Sequence, residues 1–140
     1  MAIELVPLAR VTATLVEPIT LPNTPAGTRA IFELRDYRLE GERLTARQRG
    51  AAAADWLTVG PDGTGTLDVR VTLETHDGAL VFLHYGGRVD ASRALGGAPV
   101  YAAPLFDTGD ERYAWLNRIQ AVAKGRLAGN LLTYEVYEVR

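Results

Sequence analysis

The stretch that decides the fold is TLDVRVTLETHDGALVFLHYGGR, residues Thr66–Arg88. Leu67, Val69, Val71 and Leu73 alternate with Asp68, Arg70, Thr72 and Glu74, the period of two that gives a strand unlike faces. Ala79–Arg88 is similarly rich in Val, Phe, Leu and Tyr, residues that suit a pleated surface. Between the two runs stands Asp77-Gly78, whose tolerance of positive φ fits a two-residue type I′ turn. The spacing predicts an antiparallel hairpin.

With Asp77 and Gly78 as the loop, His76 pairs with Ala79, Arg70 lies opposite Tyr85, Thr72 opposite Leu83, and Val71 opposite His84. One face then carries Asp68, Arg70, Thr72 and Glu74 with Val81 and Tyr85. The other carries Leu67, Val69, Val71 and Leu73 with Phe82 and His84. Two assignments fit this alternation equally. In one, the aliphatic face is core and Asp68–Arg70 is a surface ion pair, worth little. In the other, the polar face lines the lumen of a small barrel, where polar groups among apolar ones hold a ligand.

Outward from the hairpin, short β-rich segments recur between Gly, Pro, Asn and Asp punctuation. Ala2–Glu17 reads as one or two extended segments, and Pro18, Pro22 and Pro25 place Pro18–Gly27 in a loop. Arg29–Leu39, Arg43–Gly50 and Asp55–Val59 read as strands, with Gly50–Ala54 too short to nucleate a helix and Gly60-Pro61-Asp62-Gly63 a turn. Val89–Ala98 reads as loop and Val100–Phe106 as strand. Glu111–Asn117 has room for one helical turn with Asp110 as its N-cap. Arg118–Leu127 and Leu131–Arg140 follow, joined at Gly129-Asn130. The expected fold is all-β: a closed antiparallel barrel of roughly 8–10 strands, because closure removes exposed edges. One short helical turn is expected near residues 111–116, and residues 1–140 form a single domain.

Composition narrows the function classes. The chain of 140 residues is 47% hydrophobic and carries a net charge of −2, with fourteen arginines and one lysine; no basic excess points to nucleic acid. There is no cysteine, which removes disulfides, thiol catalysis and thiolate metal sites. No run is long enough to span a membrane and no export pattern opens the chain, so a cytoplasmic protein is expected. The arginine bias fits a GC-rich bacterial genome. Gly63-Thr64-Gly65 has no helix after it to cradle phosphate. The single serine, Ser92, has no base nearby. His76 and His84 fall on opposite hairpin faces, so no metal site is expected. Trp56, Tyr101, Tyr113, Trp115 and Tyr137 read as core or pocket walls in a chain of negative charge.

The C-terminal half carries a more specific pattern. Phe106-Asp107-Thr108-Gly109-Asp110-Glu111-Arg112-Tyr113-Ala114-Trp115-Leu116-Asn117, followed by Tyr134-Glu135-Val136-Tyr137-Glu138-Val139, resembles the family known as domain of unknown function 3237. Ala54-Asp55-Trp56, Asp62-Gly63, Leu67-Asp68-Val69-Arg70 and Thr75-His76-Asp77-Gly78-Ala79 add to the match in the same order. The resemblance implies a small antiparallel barrel, similar to allene oxide cyclase and lipocalin-like barrels and commonly oligomeric. It implies no general activity, though some such barrels are cofactor-free cyclases or isomerases. By position it singles out Asp55, Trp56, Asp68, Arg70, Thr75, Tyr113, Trp115 and Asn117. One departure is Ala52-Ala53-Ala54-Asp55-Trp56, where family members carry Gly-Gly-Ala-Asp-Trp. Alanine disfavours positive φ, so a reshaped pocket wall is expected there.

These residues suit proton transfer on a carbonyl compound. A carboxylate, Asp55 or Asp68, buried against tryptophan would have its pKa raised into a general-base range. Arg70 would bind a carboxylate or steady an enolate, and Asn117 or Tyr113 would donate to a developing oxyanion. Trp56, Thr75, Tyr85, Trp115 and Asn117 would line the substrate site, with Glu74 and His84 as secondary candidates. Each also has a structural role open to it: a self-neutralising Asp68–Arg70 pair, an Asp55 bonded to loop amides, an Asn117 satisfying local carbonyls. The expected function is a cofactor-independent lyase or isomerase acting on a small apolar or aromatic carbonyl compound. Alternatives are a metabolite-binding barrel without turnover and a structural homo-oligomer. The expected partners are a small-molecule ligand and further copies of the chain, with neither nucleic acid nor membrane.

Overall fold

The hairpin forms, with a loop one residue longer than its sequence spells. In the computed structural model, which describes residues 1–140, its strands run Thr64–Thr75 and Leu80–Asp90. The Thr75 N–H donates to the Ala79 carbonyl at 2.8 Å and the Gly78 N–H to the Thr75 carbonyl at 3.0 Å, leaving His76, Asp77 and Gly78 as a three-residue loop. Gly78 takes the positive φ of 90°. Side chains favour the longer loop: Thr75 Oγ1 donates to Asp77 Oδ1 at 2.7 Å and accepts the Ala79 N–H at 2.8 Å.

That one residue corrects the pairing expected above. Val69 lies opposite Tyr85, Arg70 opposite His84 and Val71 opposite Leu83. A slip of one exchanges the faces of the second strand. Tyr85 joins Leu67, Val69, Val71 and Leu73 inside, while Phe82 and His84 go outside with Asp68 and Arg70. The aliphatic face is the interior.

In chain order the strands are β1 (Leu5–Leu15), β2 (Ile19–Thr24), β3 (Gly27–Glu40), β4 (Ala46–Gln48), β5 (Ala54–Val59), β6 (Thr64–Thr75), β7 (Leu80–Asp90), β8 (Val100–Ala102), β9 (Leu105–Asp107), β10 (Gln120–Ala128) and β11 (Leu131–Val139). Antiparallel pairing runs β1–β3–β5–β6–β7–β8–β10–β11 and returns to β1. The barrel is therefore closed on eight strands, with β2, β4 and β9 as additions to its wall. No helix is long and apolar enough to cross a membrane.

Two segments differ from expectation. Ile19–Thr24 is a strand rather than a loop. It pairs only with β3, and Pro22 falls in the irregular step between Leu21 and Thr24, where an edge strand needs no N–H. Val100–Phe106 is divided at Ala103-Pro104, so that β8 bridges β7 and β10 while β9 adds to β7.

Within β3, Thr12 pairs with Arg38 but Thr14 with Arg35, a bulge that carries Asp36 at φ 52°. Gln48 braces it: Oε1 accepts the Tyr37 N–H at 3.3 Å and Nε2 donates to the Leu34 carbonyl at 3.2 Å. The bulge shifts the alternation, so Phe32 and Leu34 before it and Tyr37 and Leu39 after it all point inward.

One end of the barrel is shut. A 3-10 helix, Glu111–Arg118, is capped by Asp110, whose side chain accepts the Arg112 N–H at 2.9 Å. Tyr113 and Leu116 are its buried residues. Arg112 reaches the Asp77 carbonyl at 3.0 Å and Tyr113 the Asp77 carboxylate at 2.8 Å, strapping the helix to the β6–β7 turn. Val71, Leu73, Val81, Leu83 and Leu116, each 1% exposed or less, fill the interior.

Candidate functional site

The opposite half of the lumen holds a small pocket: about 50 Å³ of open space lies between sixteen residues, of which fourteen are hydrophobic. Phe32 from β3, Leu57 from β5, Leu67 and Val69 from β6, and Leu132 from β11 form walls. Leu95, Gly96 and Ala98 of the β7–β8 loop stand at the rim. Gly96 has φ +91° and so close a seat that a Cβ would come within 2.6 Å of the Leu127 carbonyl. Only glycine lets the loop sit against β10 there.

Asp55 is the one charged residue of the lining. It sits on β5 between Phe32 of β3 and Val69 of β6, with its side chain on the inner face. The β5–β6 ladder runs through Ala54↔Arg70 and Asp55↔Val69 and resumes only at Thr58↔Thr66. In that interval Asp55 Oδ1 accepts the Asp68 backbone N–H at 3.0 Å. Burial lifts the Asp55 pKa from 3.8 to about 6; that hydrogen bond opposes the rise and the nearby Asp68 charge adds to it.

Three phenols share the interior. Tyr37 and Tyr85 hydroxyls lie 3.1 Å apart, fully enclosed. Tyr85 meets Tyr134 edge to face with ring centroids 5.7 Å apart. Burial raises all three pKa values, and at Tyr134 the Asp55 charge pushes the same way. They remain neutral donors at any physiological pH. A carboxyl that titrates near 6 beside phenols fixed as donors can pass a proton to a bound molecule and steady the charge that results.

The sequence-derived candidates divide among three places. Asp55 and Tyr85 both line the cavity. Asp68 and Arg70 stand outside with side chains 56% and 60% exposed and a loose contact of 3.8 Å. Trp56 is outside as well, with the Arg70 guanidinium 5.8 Å from its ring centroid. Their place follows from β6 alternation once Val69 faces in. The third group lies toward the shut end. Thr75 is bonded within the hairpin loop and Tyr113 to Asp77. Trp115 is half-buried under Arg43, whose guanidinium carbon is 5.0 Å from the ring centroid. Asn117 is exposed, accepting the Thr108 N–H at 2.8 Å and donating to the Thr108 carbonyl at 2.9 Å. Glu74 pairs with Arg49 at 3.1 Å, and His84 stacks on Phe82.

Tyr37 and Tyr134 were not among those candidates. Tyr134 was legible in the alternation Leu132, Tyr134, Val136. Tyr37 was not, since its inward direction depends on the Asp36 bulge.

Residues 3–139 match the family described as Protein of unknown function (DUF3237). The chain belongs to this family. As a DUF3237 protein it is similar to a UPF0311 protein of Bradyrhizobium diazoefficiens, 27% identical over 144 residues and covering 92% of this chain and 91% of that one. A beta-barrel like protein from Acinetobacter baumannii AYE has the same fold, with a TM-score of 0.86 at 27% identity, covering 100% of this chain and 98% of that one. A shorter match joins this DUF3237 chain to an enzyme. A hydroalkoxylation enzyme of Penicillium herquei is 39% identical over 64 residues, 46% of this chain and 36% of that protein.

Proposed function

We propose that the lumen is a general acid–base site that cyclises, dehydrates or isomerises a small apolar or aromatic molecule with groups of the chain alone. One observation carries the reading: a single carboxyl, Asp55, stands in an apolar cavity that lifts its pKa to about 6. Such a group is populated in both protonation states near neutral pH, which suits it to give a proton and take one back. Tyr85 and Tyr134 supply hydrogen bonds to the substrate oxygen. The apolar walls hold a ring and exclude water.

The partial match to a hydroalkoxylation enzyme supports addition of a hydroxyl across a carbon–carbon double bond. Protonated Asp55 delivers its proton to one alkene carbon, and the hydroxyl oxygen bonds to the other carbon. The hydroxyl proton then returns to the Asp55 carboxylate. The alkene π bond and the O–H bond are lost, new C–H and C–O bonds form, and Asp55 ends as it began.

The experiment uses 2-prenylphenol in D2O as probe. The expected product is the cyclic ether with one deuterium on carbon. Asp55→Asn should lose at least about a hundred-fold in rate without a lower melting temperature. Wild-type turnover by Asp55→Asn would sink the reading.

A further inference from the structure

Arg70 is the residue that a carboxylate-bearing ligand would need inside, and it is outside, over Trp56. Nothing replaces it. Of fourteen arginines, one lysine and two histidines, none lines the cavity. The groups that line the cavity with Asp55 from the surrounding strands carry no positive charge: Phe32 from β3, Val69 from β6, Tyr85 from β7 and Tyr134 from β11. The one charge close enough to act on it is that of Asp68, which is also negative. Its single hydrogen bond comes from a backbone N–H.

We propose that the ligand of this lumen is an uncharged molecule that presents a hydroxyl or carbonyl oxygen to Asp55, Tyr85 and Tyr134, and that compounds bearing a carboxylate or phosphate are turned away. The proposal rests on the lumen being the ligand site and narrows the substrate class given for it. An anion entering would meet a like charge across apolar space, where screening is weak, and would find only neutral phenols to replace its hydration. An uncharged phenol, enol or ketone loses little on desolvation and gains the same hydroxyl contacts. The rim residues Leu95, Gly96 and Ala98 add no charge to draw an anion in.

The test compares 2-naphthol with 2-naphthoate, which share a ring system and differ in charge, by calorimetric titration of the full chain. At about pH 7.5 naphthol should bind at least ten-fold more tightly than naphthoate. The gap should narrow near pH 5, where naphthoate is still ionised and Asp55 is protonated, and should narrow again in Asp55→Asn at pH 7.5. The pH arm needs no variant. Equal or tighter binding of naphthoate by the wild type would overturn the proposal, as would failure of naphthol to bind, or a gap that neither pH nor Asp55→Asn changes. A barrel that binds without turnover passes this test and fails the prenylphenol one; a barrel that turns over yet prefers naphthoate does the reverse.

Discussion

Asp55 and Asp68 meet through the barrel wall: the Asp55 carboxylate, inside, accepts the backbone N–H of Asp68 at 3.0 Å, while the Asp68 side chain is outside and 56% exposed. The bond aims Asp55 where the β5–β6 ladder is interrupted. It also marks the difference between the two aspartates. One is desolvated and raised to about 6; the other is bathed in water.

The raised pKa has a cost in stability. Below pH 3.8 Asp55 is protonated in folded and unfolded chains alike. As pH rises, the unfolded chain ionises first, so stability falls between about 4 and 6 and the full penalty remains above that. Asp55→Asn keeps an oxygen for the Asp68 N–H and carries no charge. It should stabilise the protein at pH 7.5 by about 1–2 kcal/mol, solvent at the mouth considered. Thermal melts should show a gain of roughly 3–6 °C together with the loss of turnover. A variant that melts lower at pH 7.5 would contradict the assigned environment.

Activity should follow the same titration. If protonated Asp55 starts the reaction, kcat/KM is level below its pKa of about 6 and falls about ten-fold per pH unit above it. A pH–rate profile from 4.5 to 8.5 reads this directly, and a rate rising through that range would reassign Asp55 as the initiating base.

The Tyr37–Tyr85 contact of 3.1 Å is buried on both sides. Removing either hydroxyl strands the other, so Tyr37→Phe should cost about 1–2 kcal/mol by denaturant unfolding. Once Tyr85→Phe is in place, the same change should cost about 1 kcal/mol less, because no stranded partner remains. Strict additivity in this cycle would mean the hydroxyls are not bonded. Turnover should drop more for Tyr85→Phe than for Tyr37→Phe, since only Tyr85 lines the cavity.

Variants away from the cavity should separate stability from turnover. Arg70→Ala removes a contact with Trp56 and a loose ion pair, both on the outer wall; activity should stay within about two-fold and stability within about 1 kcal/mol. Asp77→Ala removes the acceptor of Thr75, Tyr113 and Arg112 and should lower the melting temperature clearly. Turnover at a temperature where the variant is folded should be unchanged. A large fall in kcat for Arg70→Ala would place the chemistry on the outer wall.

The strands of the barrel were largely visible in the alternation of β6, the aromatic and β-branched content of β7 and β11, and the Gly-Asn turn between β10 and β11. The helix and its Asp110 cap were visible too, because capping is a local interaction. The pairing of β6 with β7 was not. Asp77-Gly78 permits a two-residue turn, and the longer loop is chosen by the Thr75 hydroxyl, which bonds to Asp77 and Ala79. Strand β2 was hidden by Pro18, Pro22 and Pro25, of which only Pro22 lies within it, at an edge position that needs no N–H.

Sequence alone determined that this chain is an all-β barrel, which residues alternate on each strand, and which family it joins, because these depend on near neighbours and on motif order. Only the tertiary structure decided which alternate set faces inward. A one-residue change in loop length reverses every side chain beyond it, and a bulge at Asp36 resets the phase again in β3. Those two local steps placed Tyr37 and Tyr85 inside, while closure of the barrel over the aliphatic face of β6 put Asp68 and Arg70 out. They left Asp55 as the lone charge in a cavity that no single segment of the sequence contains.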